Sequence, residues 1–156
     1  MRRSEREVTD GAEIDSFILS CDTCRLGFSD PEGAYIVPMS FGFGHEGGQR
    51  VFYFHGAPEG RKMDCLAQGH PAGFELDQAL EQVSGNLACA YSVRYQSVTG
   101  TGTLSLIEEP ALKEQALNRI MRHYSGRDDW AFPAGTLRKT AVFKLTVTQI
   151  CCKANR

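Results

Sequence analysis

The chain has 156 residues, 42% of them hydrophobic and 23% charged, which predicts one folded domain over residues 1–156 and argues against disorder. Its 17 basic and 19 acidic side chains give a net charge of −2, so we expect neither nucleic acid nor a membrane as a partner. No apolar run is long enough to span a bilayer and no signal-peptide core follows the charged N-terminus, so we expect a cytoplasmic protein.

The first part of the sequence predicts a helix, a strand and a tight turn. Asp10-x-x-Glu13 has the pattern of a helix start. Apolar side chains then recur on one helical face at Ile14, Phe17, Ile18 and Cys21. A strand is predicted over residues 24–29, and Asp30-Pro31-Glu32-Gly33 is a strong turn signal before the next strand.

The next segment predicts a hairpin and a short helix. A strand over residues 34–43 places alternate side chains on one face, namely Tyr35, Val37, Met39, Phe41 and Phe43. Residues 44–48 are expected to form the loop and residues 50–55 the returning strand. A helix is predicted over residues 60–68, with Gly69 where a C-cap glycine belongs.

The rest of the chain predicts more strands and one long helix. Strands are expected over residues 72–76, 88–96 and 99–107. Pro110 opens the helix and Gly126 ends it, with a buried stripe of Leu117, Ile120, Met121 and Tyr124. Residues 125–137 are the least regular stretch, and the last strand covers residues 140–150. Because strands mostly follow one another with few crossover helices, this order predicts a mainly β fold, an antiparallel β-barrel with flanking helices.

Two adjacent cations follow a strand and a glycine-bounded loop. The strand ends at His55, the loop lies between Gly56 and Gly60, and Arg61 and Lys62 occupy the first turn of the next helix. Cations are unfavourable at this positive end of the helix dipole unless an anion docks there. The segment therefore predicts a phosphate site, with solvated surface charges as the alternative. A nucleotide P-loop is rejected because only three residues separate the glycines and no Ser or Thr follows the lysine.

Two further segments are candidates for contact with a flat ligand. Pro38 lies inside the strand over residues 34–43, which should therefore be interrupted or at an edge, with free backbone groups. The alternative is an edge strand that a proline protects from aggregation. Ser97 and Val98 lie at a predicted bend between two strands. A barrel corner eased by glycine would explain that bend without a ligand.

The cysteines are expected to be reduced, because no secretion signal is present. They are Cys21, Cys24, Cys65, Cys89, Cys151 and Cys152. Cys21-x-x-Cys24 is compatible with zinc or redox chemistry, but zinc needs about four ligands. The only other pair, Cys151-Cys152, has neighbouring side chains that point to opposite faces of a strand. We therefore predict no metal site, and buried thiols that pack as small apolar groups.

Five short motifs occur in order along the chain. They are Arg-Arg-x-x-Arg-Glu from Arg2, Cys-Arg-Leu-Gly from Cys24, Tyr-Ile-Val-Pro-Met-Ser-Phe-Gly-Phe from Tyr35, Phe-Tyr-Phe-His-Gly-Ala-x-x-Gly-Arg-Lys from Phe52 and Tyr-Gln-Ser-Val-x-Gly-x-Gly from Tyr95. In this order the chain, from Met1 to about Lys153, resembles the nitroimidazole-resistance branch of the pyridoxamine 5'-phosphate oxidase-like proteins. The ending Ile150-Cys-Cys-Lys153 departs from the branch, which puts a contribution of the tail to the site in doubt.

The resemblance implies a six-stranded antiparallel FMN-binding split barrel, and a homodimer with two FMN molecules at its interface. It implies flavin contacts for the backbone of Val37, Pro38, Met39 and Ser40, and for Phe54, His55, Gly56 and Ala57 beside the ring and ribityl chain. It places the phosphate at Arg61 and Lys62, with Ser97 and Val98 contributing from the strand bend. Trp130 is expected to cover the flavin from the partner subunit or to pack at the interface.

His55 is the candidate catalytic residue, because the resemblance places it near the flavin on the substrate side. The other histidines, His45, His70 and His123, are expected to be ordinary packed or surface residues.

Three functions follow from the resemblance. The first is an FMN-dependent oxidoreductase that reduces a small flat or nitro-bearing substrate with electrons from a partner or a nicotinamide. The second is a flavin-binding or flavin-storing module without turnover, since no nicotinamide-binding fingerprint is present. The third is a pyridoxamine-phosphate oxidase, although the chain is short and has no arginine-rich C-terminal segment. Haem and deazaflavin remain alternative ligands.

Overall fold

Eight strands and four α-helices form the part of the chain that the computed structural model describes, residues 4–156. Arg2 and Arg3 of the N-terminal motif lie outside the described residues. The helices are α1 (Gly11–Ser20), α2 (Arg61–Ala67), α3 (Pro110–Ser125) and α4 (Ala134–Lys139). The strands are β1 (Glu7–Val8), β2 (Cys24–Asp30), β3 (Gly33–Met39), β4 (Gly42–Glu46), β5 (Gln49–Gly56), β6 (Ala72–Val83), β7 (Ser92–Leu106) and β8 (Ala141–Asn155).

All eight strands belong to one antiparallel sheet with the order β3-β2-β6-β7-β8-β5-β4, and β1 pairs with β8. The two edge strands, β3 and β4, are joined by Ser40 and Phe41 alone. Such a short link requires the sheet to curl until its edges approach each other. The predicted class, a mainly β antiparallel split barrel with flanking helices, is confirmed. The seven predicted strand segments become eight strands, which exceeds the six that the resemblance implies. The strand β1 is added, the segment over residues 34–43 is divided into β3 and β4, and the segments over residues 88–96 and 99–107 join as β7.

The barrel interior is filled by large apolar side chains with no solvent exposure. They include Phe41, Phe52, Phe54, Phe143, Leu26, Leu76, Leu145 and Val98. A second cluster lies outside the sheet, where Val51, Tyr53 and Val142 pack beneath Leu117 and Ile120 of α3. Because successive strand residues point to opposite faces, β5 is buried on both sides until it ends beside α2.

The predicted helix boundaries have the expected caps. The Asp10 side chain accepts a hydrogen bond of 2.8 Å from the Glu13 N–H at the start of α1. Pro110 lies in the first turn of α3, and Gly126 ends that helix with a φ of 74°. The predicted stripe on α3 was wrong at Tyr124, which is exposed. Its hydroxyl group donates to the Asp22 carbonyl and accepts from the Phe41 N–H.

The hairpins differ from the sequence-based boundaries. The loop predicted over residues 44–48 shortens to a turn at Gly47 and Gly48, whose φ values of 56° and 83° suit glycine. The strand predicted over residues 72–76 extends to Val83. Its second half is exposed and has little apolar alternation, so its pairing with β7 was invisible in the sequence.

The bend predicted at Ser97 and Val98 was wrong, because β7 runs without interruption through both residues. Its irregularity lies between Thr101 and Gly102, in the register with β8. The stretch predicted to be irregular also contains part of α4, a helix that was not predicted from the sequence. None of the helices formed by residues 4–156 has the length and apolarity needed to cross a membrane.

Candidate functional site

The ammonium group of Lys62 lies at one end of the barrel, against the last residues of β3 and β5. Its Nζ donates to Met39 Sδ at 3.6 Å and lies 5.7 Å from the centre of the Phe143 ring. We call the group formed by Met39, Gly56, Lys62 and Phe143 the barrel mouth. Within residues 4–156, no carboxylate oxygen lies within 4.0 Å of this ammonium group. A cation whose polar partner is a thioether favours the binding of an anion.

Gly56 provides the space that the Lys62 side chain occupies. A Cβ atom at Gly56 would lie 2.5 Å from Lys62 Nζ and 3.3 Å from its Cε. Lys62 is half-buried, and desolvation lowers the pKa of its ammonium group below the ordinary value of 10.5. Because Gly56 has no side chain, the Lys62 ammonium group can approach the end of the barrel. In doing so the ammonium group loses part of its hydration.

His55 is the last residue but one of β5 and lies on the face opposite to the interior. It is exposed, unlike Phe54, whose ring is buried and stacks on Phe143 at 5.5 Å. Partial desolvation, followed by the positive charge of Lys62, lowers the pKa of His55 below 6.5. Its imidazole is therefore neutral at pH 7 and can either donate or accept a hydrogen bond.

We expect Lys62→Met to raise the pKa of His55, because the substitution removes the nearby positive charge and keeps an apolar side chain of similar length. The measurement is an NMR titration of the imidazole C–H signals between pH 4 and pH 9. Lys139→Met, in the last turn of α4, is the matched control and should leave the titration midpoint where it is. A midpoint that does not move in Lys62→Met would show that the ammonium charge does not reach His55.

Arg61 is held by side chains from the β2–β3 hairpin. Its Nε donates to Asp30 Oδ2 at 2.9 Å, and its Nη2 lies 3.7 Å from Glu32 Oε2. The guanidinium carbon lies 4.6 Å from the centre of the Tyr35 ring, a cation–π distance. Arg61 therefore already has negative partners, whereas Lys62 has none among the described residues.

Asp30 accepts hydrogen bonds on both carboxylate oxygens. Besides Arg61, it accepts from the Glu32 N–H at 2.9 Å and from Cys65 Sγ at 3.5 Å. The Arg61 hydrogen bond, and then the Glu32 N–H, lower the pKa of Asp30 from 3.8 to about 2. Because the folded-state pKa lies below the unfolded value, this contribution to stability is complete above pH 3.8 and is lost as the pH falls towards 2.

The loop before α2 ends at a glycine with a left-handed backbone. Gly60 has a φ of 104°, which a residue with a side chain rarely adopts, and its carbonyl accepts from the N–H groups of Met63 and Asp64. By helix geometry the N–H groups of Arg61 and Lys62 have no acceptor within α2. The predicted arrangement, a glycine-bounded loop followed by two cations in a first helical turn, is confirmed.

The predicted contacts on β3 lie at the edge of the sheet. Among the described residues, β3 pairs only with β2, and it ends after Met39, as the proline predicted. Pro38 and Ser40 are exposed, Val37 is half-buried and Met39 is buried. The outer backbone groups of this strand are therefore free of strand pairing.

Ser97 and Val98 lie on a different part of the sheet from the β3 end that Lys62 contacts. Val98 is buried in the interior, and Ser97 is half-buried beside it. Pro38 pairs across the sheet with a residue of β2, which in turn pairs through β6 with Thr99, the neighbour of Val98. Three strand spacings separate Pro38 from Thr99, or about 14 Å along the sheet. Ala57 is exposed in the loop before α2.

Trp130 lies against the end of α3. Its backbone N–H and carbonyl bond the Asn118 side chain, both at 2.9 Å, and Arg127 stacks on its ring at 4.7 Å. Its ring N–H donates to Ser125 Oγ at 3.4 Å, and 37% of the residue is exposed. A contact of Trp130 with a flavin of the partner subunit stays a prediction.

Comparison with known proteins places this architecture in a family. A family model described as pyridoxamine 5'-phosphate oxidase matches residues 10–154. The chain belongs to the pyridoxamine 5'-phosphate oxidase-like family. A similar solved structure is that of a candidate 5-nitroimidazole antibiotic resistance protein of Bacteroides thetaiotaomicron, with 31% identity, a TM-score of 0.81 and coverage of 96% of this chain and 90% of that chain. This agrees with the branch indicated by the motifs.

Two more distant structures share the pyridoxamine 5'-phosphate oxidase-like fold. A flavocytochrome of Azotobacter vinelandii is 19% identical, with a TM-score of 0.83 and coverage of 100% of this chain and 72% of that chain. An FAD- and haem-binding protein of Mycobacterium smegmatis is 21% identical, with a TM-score of 0.82 and coverage of 97% and 74%. At these identities the likeness shows the fold alone. No curated protein matches the sequence.

Several neighbours of the two cations in this pyridoxamine 5'-phosphate oxidase-like chain were not predicted from the sequence. Asp30 and Glu32 were interpreted as a turn, and Tyr35 and Phe143 as strand residues. The Asp30–Arg61 ion pair joins residues 31 positions apart, so no local pattern announced it. One signal was available, since an acidic turn and a basic helix start that both adjoin buried strands are candidates for pairing.

Four of the six cysteines are buried, whereas Cys89 is exposed and Cys151 is half-buried. Cys21, Cys24, Cys65 and Cys152 are buried, and all six thiols are free. Burial raises the pKa of Cys21 to about 11 and raises that of Cys24 further still. Such thiols stay protonated, so the interpretation of Cys21 and Cys24 as packed apolar groups is confirmed. In residues 4–156, no three His, Cys, Asp or Glu side chains are grouped as a metal site.

Proposed function

We propose that this chain binds FMN at the barrel mouth, with the phosphate held by Arg61 and Lys62. The observation that carries the proposal is the half-buried Lys62 ammonium group, which contacts Met39 Sδ and has no carboxylate within 4.0 Å in residues 4–156. A phosphate dianion supplies the charge partner that this cation lacks. The family to which the chain belongs and its flavin-binding structural neighbours support a flavin as the ligand.

The residues around the barrel mouth fit such a ligand. The free N–H groups of Arg61 and Lys62, at the start of α2, are suited to phosphate oxygens. The unpaired edge of β3 from Val37 to Met39, together with Ser40 after it, offers backbone groups to a flat ring. Phe54 is buried, so we assign its flavin contact to the backbone, together with Gly56 and Ala57.

We also propose a homodimer with two FMN molecules at its interface. The free edge of β3 and the exposed side chains of Ile36 (65%) and Trp130 (37%) support an interface on this chain. Ser97, Val98 and Trp130 are separated from the barrel mouth in the sheet or along α3, and a partner subunit would supply a second set of them. For Val98 the contact would come from its backbone, because its side chain is buried.

We propose an oxidoreductase that reduces a small flat or nitro-aromatic substrate, with His55 on the substrate side. The bound flavin would supply the electron transfer. His55 is exposed, lies beside Lys62 and is neutral at pH 7, so it can orient a polar group of the substrate by a hydrogen bond. A cytoplasmic location is part of the same proposal.

The purified protein is expected to be yellow, with the absorbance spectrum of an oxidised flavin. Chromatography of the released cofactor should identify FMN, and FAD, haem or a deazaflavin would correct the assignment. The protein reduced with dithionite should be reoxidised by a nitroimidazole faster than free FMN is. Equal rates for the protein and for free FMN would contradict the nitroreductase function.

The alternative is a flavin-binding module without turnover of its own. Substrate-dependent oxidation of NADH or NADPH in a steady-state assay would establish the enzyme and contradict this alternative. Formation of pyridoxal phosphate would instead indicate a pyridoxamine-phosphate oxidase, and we expect none.

A further inference from the structure

We propose that Asp30 is a positioning residue that directs the terminal nitrogens of Arg61 towards the phosphate, and that Glu32 competes with the phosphate for those nitrogens. The inference rests on the proposed function, since it assumes that a phosphate docks at Arg61. It assigns opposite roles to two carboxylates that lie two positions apart in the same turn.

Asp30 holds Arg61 through one side of the guanidinium group. The bond of 2.9 Å from Arg61 Nε to Asp30 Oδ2 uses a single donor. Guanidinium has five N–H donors, so four remain on the two terminal nitrogens. The Tyr35 ring, 4.6 Å from the guanidinium carbon, restricts the plane of the group. Together these contacts fix the direction in which the free donors point.

The Asp30 carboxylate is itself fixed by the turn. Its other oxygen accepts from the Glu32 N–H at 2.9 Å, and its side chain is only 10% exposed. Cys65 Sγ, one turn further along α2, lies 3.5 Å from the same oxygen that Arg61 contacts. A carboxylate held by a backbone group and by α2 can transmit a defined orientation to Arg61.

Glu32 is a weaker partner of the same guanidinium group. Its Oε2 lies 3.7 Å from Arg61 Nη2, beyond hydrogen-bond distance, and its side chain is 82% exposed. It lies at one of the terminal nitrogens that Asp30 leaves free. An exposed ion pair of this kind contributes little, so a phosphate dianion should displace it.

The two roles predict opposite effects of two matched substitutions on FMN affinity. Either neutralisation removes one negative charge near the phosphate, which through the electrostatic field alone would strengthen anion binding. Asp30→Asn also removes the acceptor for Arg61, while its side-chain oxygen can still accept from the Glu32 N–H and preserve the turn. If Asp30 positions Arg61, Asp30→Asn therefore weakens FMN binding while Glu32→Gln strengthens it.

The experiment is a fluorescence titration of the cofactor-free protein with FMN and, separately, with riboflavin, which lacks the phosphate. We expect Asp30→Asn to weaken FMN binding about tenfold. We expect Glu32→Gln to tighten it about twofold. Riboflavin affinity should change in neither variant. Asp30→Ser, which also keeps an acceptor for the turn, should behave as Asp30→Asn does, and a thermal melt verifies folding of each variant.

Each outcome decides between the explanations. Tighter FMN binding by Asp30→Asn would overturn the positioning role, because the loss of negative charge would then explain the result by itself. Equal losses for FMN and riboflavin would overturn it in favour of a structural role. If the unsubstituted protein binds FMN no better than riboflavin, the proposed phosphate site fails and this inference fails with it. If the unsubstituted protein prefers FMN to riboflavin but Asp30→Asn leaves FMN affinity unchanged, the role of Asp30 is overturned and the proposed phosphate site stands.

Discussion

Replacing both Arg61 and Lys62 with alanine is expected to weaken FMN binding by about 100-fold or more. Each charged phosphate contact contributes about 1.5–3 kcal/mol, and about 1.4 kcal/mol corresponds to a tenfold change in affinity. Lys62 should account for the larger share, because Arg61 is already paired with Asp30 whereas Lys62 has no carboxylate partner among residues 4–156. Fluorescence titration of the cofactor-free protein with FMN measures the effect.

A matched control exists at the end of α4. Arg138 and Lys139 are also adjacent cations, and both are exposed, so their replacement by alanine changes the net charge equally. We expect that double variant to bind FMN as the unsubstituted protein does. Equal losses of FMN affinity in the two double variants would show that the effect comes from net charge and not from these positions. Unchanged affinity in the Arg61 and Lys62 variant would remove both residues from the site.

Gly100→Ala is expected to destabilise the fold by about 3 kcal/mol. Gly100 lies on β7 between Val98 and Gly102, which are buried on the interior side. A Cβ atom there would meet the Gln149 carbonyl oxygen and lie 2.5 Å from the Phe74 ring. Because the obstacles are a backbone group and a packed ring, relief requires movement of β6 or β8. The free energy of unfolding from urea denaturation is the measurement.

Thr99→Ala, one residue earlier on the exposed face of β7, is the control. It removes a side chain that the interior does not contact, and its cost should stay below about 1 kcal/mol. A Gly100→Ala variant as stable as the Thr99→Ala variant would show that the space at Gly100 is not required. That result would favour contact with a ligand as the reason for the two glycines of Gly100-Thr101-Gly102.

The local features of the fold were accessible from the sequence because each rests on neighbouring residues. Asp10 caps α1 through an N–H three positions away, and Gly126 ends α3 by its own backbone conformation. The cation pair after Gly60 is likewise a property of one short segment. The same reasoning failed for the exposed second half of β6, whose strand conformation comes from pairing with β7.

The motifs also led to the correct family, because their order and spacing together are more specific than any one motif. The neighbours of the site followed no such order. Arg61 meets Asp30 and Tyr35 only because α2 packs against the end of the β2–β3 hairpin, and the Lys62 side chain extends along Gly56 to Met39 and Phe143. These contacts join segments that are distant in the chain.

The sequence by itself therefore determined the strands with a buried face, the helix ends, the glycine-bounded loop and the presence of two adjacent cations. Only the tertiary structure decided which of those cations is already neutralised and which is left without a carboxylate. The physical reason is that propensity and capping act within a few residues, whereas the charge balance of a site depends on every group that folding brings within a few ångströms.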